Sequence, residues 1–177
     1  MFHRIINPSK SQSFFLFGPR GSGKSTFLEG FFTPDERVVL DLLNPELAGE
    51  LSSYPNNLLT RLAPHSGKTP WVVIDEVQKA PQLLDLVHKL IKEKQFKFAL
   101  TGSSARKLKR GAANLLAGRA FVYNLFPLTV SELQESFVLD EALKFGTLPE
   151  IFTFQTSADK ARFLKAYTET YLKEEII

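Results

Sequence analysis

Residues Gly18 to Thr26 read GPRGSGKST and fit the pattern G-x-x-x-x-G-K-[ST] through Gly18, Gly23, Lys24 and Ser25. Each position suits the binding of a polyphosphate. Glycine at 18, 21 and 23 permits positive φ and lets main-chain N–H groups converge on an anion, while a following helix turns its N-terminus to the same point. Lys24 supplies an ammonium for the β- and γ-phosphates, and the Ser25 hydroxyl is a hard oxygen ligand for Mg²⁺. Pro19 stiffens the start of the loop, and Arg20, Ser22 and Thr26 complete the stretch expected to line the nucleotide. At average residue usage the pattern arises by chance in roughly one chain in a hundred of this length. Here the apolar run FFLF precedes it and the helical pattern FLEGFF follows, which is the context the motif requires.

Binding is not turnover, and hydrolysis calls for a carboxylate at the end of a second buried strand. WVVIDE supplies one: Asp75 is placed to hold the metal with Ser25, and Glu76 to orient and polarise an attacking water as general base. The run FALTGSSA puts Thr101, Ser103 and Ser104 just past another buried run. Ser103 is the hydroxyl expected to report on the γ-phosphate, although all three could instead cap the next helix. Arg20 and Arg119 are the candidates for an arginine acting on a phosphate or at a subunit interface, with a surface ion pair as the plain alternative.

These groups need a scaffold. Five nearly continuous apolar runs read as strands: Phe14 to Phe17, Arg37 to Leu42, Trp71 to Asp75, Phe96 to Gly102 and Ala120 to Leu125. Continuity rather than alternation predicts strands buried on both faces. Helical patterns lie between them, the clearest being PQLLDLVHKLIKEK, with Leu83, Leu84, Val87, Leu90 and Ile91 on one stripe. Strand and helix alternating predict an α/β fold, a parallel sheet with helices on both faces.

After Leu125 the pattern is helical alone. Thr129 with Glu132, and Thr156 with Asp159, read as capping pairs, and Leu164, Tyr167, Tyr171 and Leu172 share one face of the closing helix. The domain division expected is therefore a core over 1–127 and a short helical extension over 128–177. The closing helix has no stop signal, which points to a further C-terminal domain on which Tyr167 and Tyr171 could pack; a natural terminus with that face docked on the sheet is the equal alternative.

Composition bounds the remainder. The chain has 177 residues, 44% hydrophobic and 23% charged, the balance of a globular protein of one core. A net charge of +3 is too small to argue for nucleic acid by itself. The basic cluster Arg106, Lys107, Lys109 and Arg110 has no interleaved aromatics and reads first as a solvated helix face, with nucleic-acid contact a weaker reading. His3, His65 and His88 are scattered without metal-ligand spacing, and there is no cysteine for a disulfide or thiolate site. No window approaches ~20 apolar residues and no secretory leader pattern is present, so a cytoplasmic location without membrane association is expected.

The segments GPRGSGKSTFL, VVIDEVQKAPQLLDLVHKL, ALTGSSARKL, LLAGRAFVYNLFPLTVSEL and FGTLPE, in this order, resemble bacterial and archaeal ATPases of the AAA+ superfamily, of the type called AAA domain 14. Gln78 after DEV and the GR…PLTVSEL block are the more specific parts. The resemblance implies a three-layer RecA-like P-loop core with strand order 5-1-4-3-2. It also implies ATP and Mg²⁺ as ligands, ADP as product, Lys24, Ser25, Asp75 and Glu76 in the roles given above, and a second C-terminal domain in the usual member. The function expected is an ATPase module that couples hydrolysis to conformational change, with a homo-oligomer among the expected assemblies. A nucleotide-dependent switch that hardly turns over and, behind it, a small-molecule kinase are the alternatives.

Overall fold

The structure, a computed structural model, describes residues 2–65, 71–103, 108 and 118–176, the last five as helix backbone. The five apolar runs form β1 (Phe14–Phe17), β2 (Arg37–Asp41), β3 (Trp71–Asp75), β4 (Lys97–Gly102) and β5 (Phe121–Asn124). All pair in parallel, in the order β2-β3-β4-β1-β5. This is the 5-1-4-3-2 order that the resemblance implied.

Side chains alternate across a strand, and the alternation sorts the core into two layers. Phe15, Phe17, Val72, Ile74, Phe98 and Leu100 pack with Leu51 of α2 (Pro45–Ser53), Leu58 and Leu62 of α3 (Asn57–Leu62), and Leu83, Leu84, Val87 and Leu90 of α4 (Leu83–Lys92). Phe14, Leu16, Trp71, Val73 and Ala99 pack on the other face with Leu28 of α1 (Lys24–Phe31) and with Phe32. Helices therefore cover both faces. The abundance of phenylalanine has a structural use here: the Phe14 ring meets Trp71 at 5.5 Å, Tyr123 at 5.7 Å, Phe31 at 6.1 Å and Phe32 at 6.4 Å between centroids. Such pairs add roughly 0.5–1.5 kcal/mol each beyond the area they bury.

The two outer strands depart from the expectation of burial on both faces. Val39 of β2 is 51% exposed and Val122 of β5 is 48% exposed, whereas β1 and β3 are buried throughout. A continuous apolar run has the same sequence signature at a sheet edge as at its centre, so the pattern does not distinguish them.

The chain divides into two compact units. One is Ile6–Leu125, which contains the sheet. The other joins the amino-terminal residues through Ile5 to Phe126–Ile177. The first five residues therefore group with the helices that follow the sheet. Arg4 explains this: its Nε donates to Glu132 Oε1 at 2.8 Å and its Nη2 to the Phe126 carbonyl at 2.5 Å, while the Ile5 N–H donates to the same Glu132 oxygen at 3.0 Å.

The second unit holds α5 (Val130–Leu133), α6 (Leu139–Phe145) and α7 (Ser157–Ile176). Thr129 and Glu132 form the predicted capping box on α5. Thr156 Oγ1 accepts from the Asp159 N–H at 3.1 Å at the start of α7. Phe145, Leu148 and Ile151 are the core, packed by Phe163, Leu164 and Tyr167. Tyr167 is thus used within its own unit, and Tyr171 stacks on it at 4.7 Å. The Leu172 side chain lies outside the described residues. Among the described residues no helix is long and apolar enough to cross a membrane.

Glu132 is the electrostatic centre of this unit, its side chain 2% exposed and that of Arg4 8%. Burial pushes the Glu132 carboxyl up, but hydrogen bonds from the Thr129 N–H, the Arg4 guanidinium and the Ile5 N–H together hold it below its ordinary value of 4.5. A depressed carboxyl stabilises the fold above its unfolded value, and that stability is lost as the pH falls through the folded value. The thermal stability of the chain should therefore fall as the pH is lowered below about 4.5. Glu132→Gln should cost about 3 kcal/mol at pH 7, because it breaks a buried ion pair. The same variant should flatten the pH dependence without abolishing it, since the exposed carboxyls of Glu36, Glu50 and Asp159 are also held low. Circular dichroism melts of both chains from pH 7 to pH 3 measure this, and an unchanged slope in the variant would remove Glu132 from the explanation.

Candidate functional site

Parallel strands place all their carboxyl ends at one edge of a sheet. The register pairs Phe17 with Gly102 and Asn124, and Asp41 with Asp75. Because β4 lies between β1 and β3, the ends of those two strands are separated by two strand spacings, roughly 10 Å. The loop after β1 and the first turn of α1 span that gap. Ser25 Oγ, at the start of α1, donates to Asp75 Oδ2 at 2.5 Å across 50 residues of sequence.

The loop depends on glycine where it is tightest. A Cβ on Gly18 would stand 2.1 Å from the Leu125 carbonyl oxygen, so no other residue fits unless β5's end moves. Gly21 and Gly23 have φ of 74° and 89°, in the left-handed region. Gly23 is the N-cap of α1 and brings no side-chain cap, which leaves the helix N-terminus without a competing side-chain oxygen. The Ser22 N–H donates to the Pro19 carbonyl at 3.2 Å and the Phe27 N–H to Gly23 at 2.8 Å, closing the loop and opening the helix. Ser22 is buried, whereas Arg20, Ser25 and Thr26 are exposed.

Lys24 is only 5% exposed. Its ammonium donates to the Gly18 carbonyl at 2.9 Å and the Pro19 carbonyl at 3.3 Å, and stands 3.9 Å from Glu76 Oε1. It thus lies across its own loop and faces the second acidic residue.

The acidic pair is fixed by one buried hydroxyl. Thr101 Oγ1 donates to Asp75 Oδ1 and accepts from the Glu76 N–H at 2.9 Å. Glu76 itself has φ 56° and ψ 50°, a left-handed conformation that costs a non-glycine residue roughly 1–2 kcal/mol. Its carboxylate accepts from Gln78 Nε2 at Oε2. Gln78 Nε2 also lies 3.5 Å from Ser103 Oγ.

Lys24, Ser25, Asp75, Glu76 and Ser103 are therefore brought together with the loop Gly18 to Thr26. Ser104 lies outside the described residues, as does the basic cluster Arg106, Lys107, Lys109 and Arg110. Arg119 is not brought to the loop within this chain. It precedes β5 at the amino edge of the sheet, opposite the loop, and its Nη1 donates to His88 Nε2 of α4 at 2.6 Å. Its strand runs parallel to β1, so a residue ahead of that strand starts from the wrong edge to reach a phosphate in the same chain. Two further participants were not read as such from the sequence. Thr101 reads in the sequence as a sensor or a helix cap, and its position as the last polar group inside a buried run is the available sign of this further role. Gln78 had only its place in the resemblance, because the short 3-10 turn Val77–Lys79 that turns it back is too brief to leave a periodicity.

The family model described as an AAA domain matches residues 10–134. The uncharacterized protein Rv2008c of Mycobacterium tuberculosis is 30% identical over 165 residues, covering 91% of this chain and 35% of that protein. MJ1544 of Methanocaldococcus jannaschii is 24% identical over 183 residues, 92% of this chain and 41% of the relative. The chain thus spans between about a third and two-fifths of the length of these relatives. Among solved structures, the Aeropyrum pernix ORC1 protein in complex with DNA has a TM-score of 0.45 at 16% identity, over 72% of this chain and 42% of that one. With the glycine loop, the acidic pair and the sheet order in place, and a family match over more than half its length, the chain belongs to the AAA domain family of P-loop proteins.

Proposed function

We propose that this domain binds ATP with Mg²⁺, hydrolyses it to ADP and phosphate, and passes the change of nucleotide state to the rest of a longer chain or to neighbouring copies. One observation carries the reading: Ser25 Oγ meets Asp75 Oδ2 at 2.5 Å while Glu76 Oε1 faces Lys24 Nζ at 3.9 Å. Those contacts bring metal-ligand oxygens, a cation and a base to one point beside the glycine loop.

The residues suit the group they would hold. A hydroxyl and a carboxylate are hard oxygen donors of the kind Mg²⁺ takes, and Mg²⁺ keeps its other positions for water and phosphate. Mg²⁺ held by Ser25 and Asp75 would supply positive charge against the phosphate oxygens. Lys24 exchanges the Gly18 and Pro19 carbonyls for phosphate oxygens, and the N-terminal amides of α1 face the same charge. Glu76 accepts a proton from water as its oxygen bonds to the γ-phosphorus and the bond to the ADP oxygen breaks. Ser103 stands at the end of β4, where a hydroxyl can meet the γ-phosphate. Arg20, exposed on the loop, is the arginine of this chain placed nearest to a phosphate by sequence.

Glu76→Gln should lower phosphate release by a factor of about 10²–10⁴ while fluorescent-nucleotide titration shows retained binding. Ordinary turnover by that variant would refute the base assignment. Lys24→Ala should weaken nucleotide binding by roughly 10–100-fold, the loss of one or two charge-assisted hydrogen bonds. Equal affinity in the two chains would place the triphosphate elsewhere.

A further inference from the structure

Gln78 stands two residues after Glu76, and among the described residues its side-chain hydrogen bonds go to Glu76 and Ser103. The 3-10 turn Val77–Lys79 begins immediately after the strained Glu76 and returns Gln78 to the carboxylate. Its amide nitrogen donates to Glu76 Oε2 and lies 3.5 Å from Ser103 Oγ. The orientation of the amide follows from charge: reversed, its oxygen would face a carboxylate oxygen with no proton between them.

The opposite end of the amide pays for this arrangement. Gln78 Oε1 is buried and has no hydrogen-bond partner among the described residues. An orphaned buried acceptor is costly, and a methionine would fill the same volume without it. Room for that oxygen comes from Gly102, where an added Cβ would stand 2.9 Å from it. Gly102 does not have a positive φ, so its backbone does not demand glycine, and what glycine supplies there is room beside the amide oxygen.

We propose that Gln78 is the positioning residue for the Glu76 base, holding one carboxylate oxygen so that the other is aimed at the lytic water, with Gly102 as the gap that admits its amide. This rests on the hydrolytic reading of the same site. Glu76 Oε2 is engaged by Gln78, which leaves Oε1, the oxygen on the Lys24 side, as proton acceptor. A carboxylate without that tether turns about its own side-chain bonds, and a misplacement of the order of 1 Å can cost roughly 10²-fold in rate.

The test uses the full chain with Gln78→Met and Gly102→Ala. Both should lower kcat for phosphate release about 10–100-fold, with the affinity for Mg-ATP within about twofold of the parent, as expected of an interaction that positions a base without touching the ligand. Gln78→Met with parental kcat would overturn the proposal. Gly102→Ala acts on the amide from outside and serves if Gln78→Met fails to fold. A second readout needs no turnover: the side-chain amide resonances of Gln78 in the nucleotide-free protein should shift in Glu76→Ala, and unmoved resonances would overturn the tether. Should the parent chain release no phosphate, the hydrolytic reading fails, and the resonances alone decide whether Gln78 holds Glu76.

Discussion

The placement of β4 between β1 and β3 governs the site. It separates the strand that feeds the glycine loop from the strand that ends in Asp75 and Glu76, and it puts the Thr101 hydroxyl between them. Thr101 has one proton to give and lone pairs to receive with. Donating to Asp75 and accepting from the Glu76 N–H, it joins a metal-ligand candidate to the backbone of a base candidate. The left-handed backbone of Glu76 persists because this bond and the following turn hold it from both sides.

Charge around the loop is satisfied within the protein. Lys24 spends its protons on two loop carbonyls, Ser25 closes on Asp75, and Glu76 is held between Gln78 and Lys24. A buried ammonium or carboxylate without such partners would cost several kcal/mol. On the proposed function, a triphosphate would take the place of these protein acceptors around Lys24, so that binding would change hydrogen bonds as well as fill a cleft.

Much of this was legible in the sequence because the informative features are local. The glycine spacing around Lys24, the apolar run ending at Asp75 and the capping pair Thr129 with Glu132 each fall within a few residues. What escaped depends on contacts distant in sequence. Edge and centre strands share one apolar signature, so the exposure of Val39 and Val122 left no trace. The sequence does not show that Arg119 stands at the amino edge of the sheet, because that follows from the direction of β5. The attachment of the first residues to Glu132 spans 128 positions and has no periodicity to betray it.

That last attachment makes the helical unit discontinuous: the chain begins it, leaves to build the whole sheet, and returns to finish it. During synthesis the sheet unit is complete once Leu125 has emerged, whereas Arg4 finds its carboxylate only after Glu132 follows. Units made first tend to fold first. The phosphate loop can therefore form on the ribosome while the other unit still has a loose end, and a bulky fusion at the amino terminus would burden the late unit before the early one.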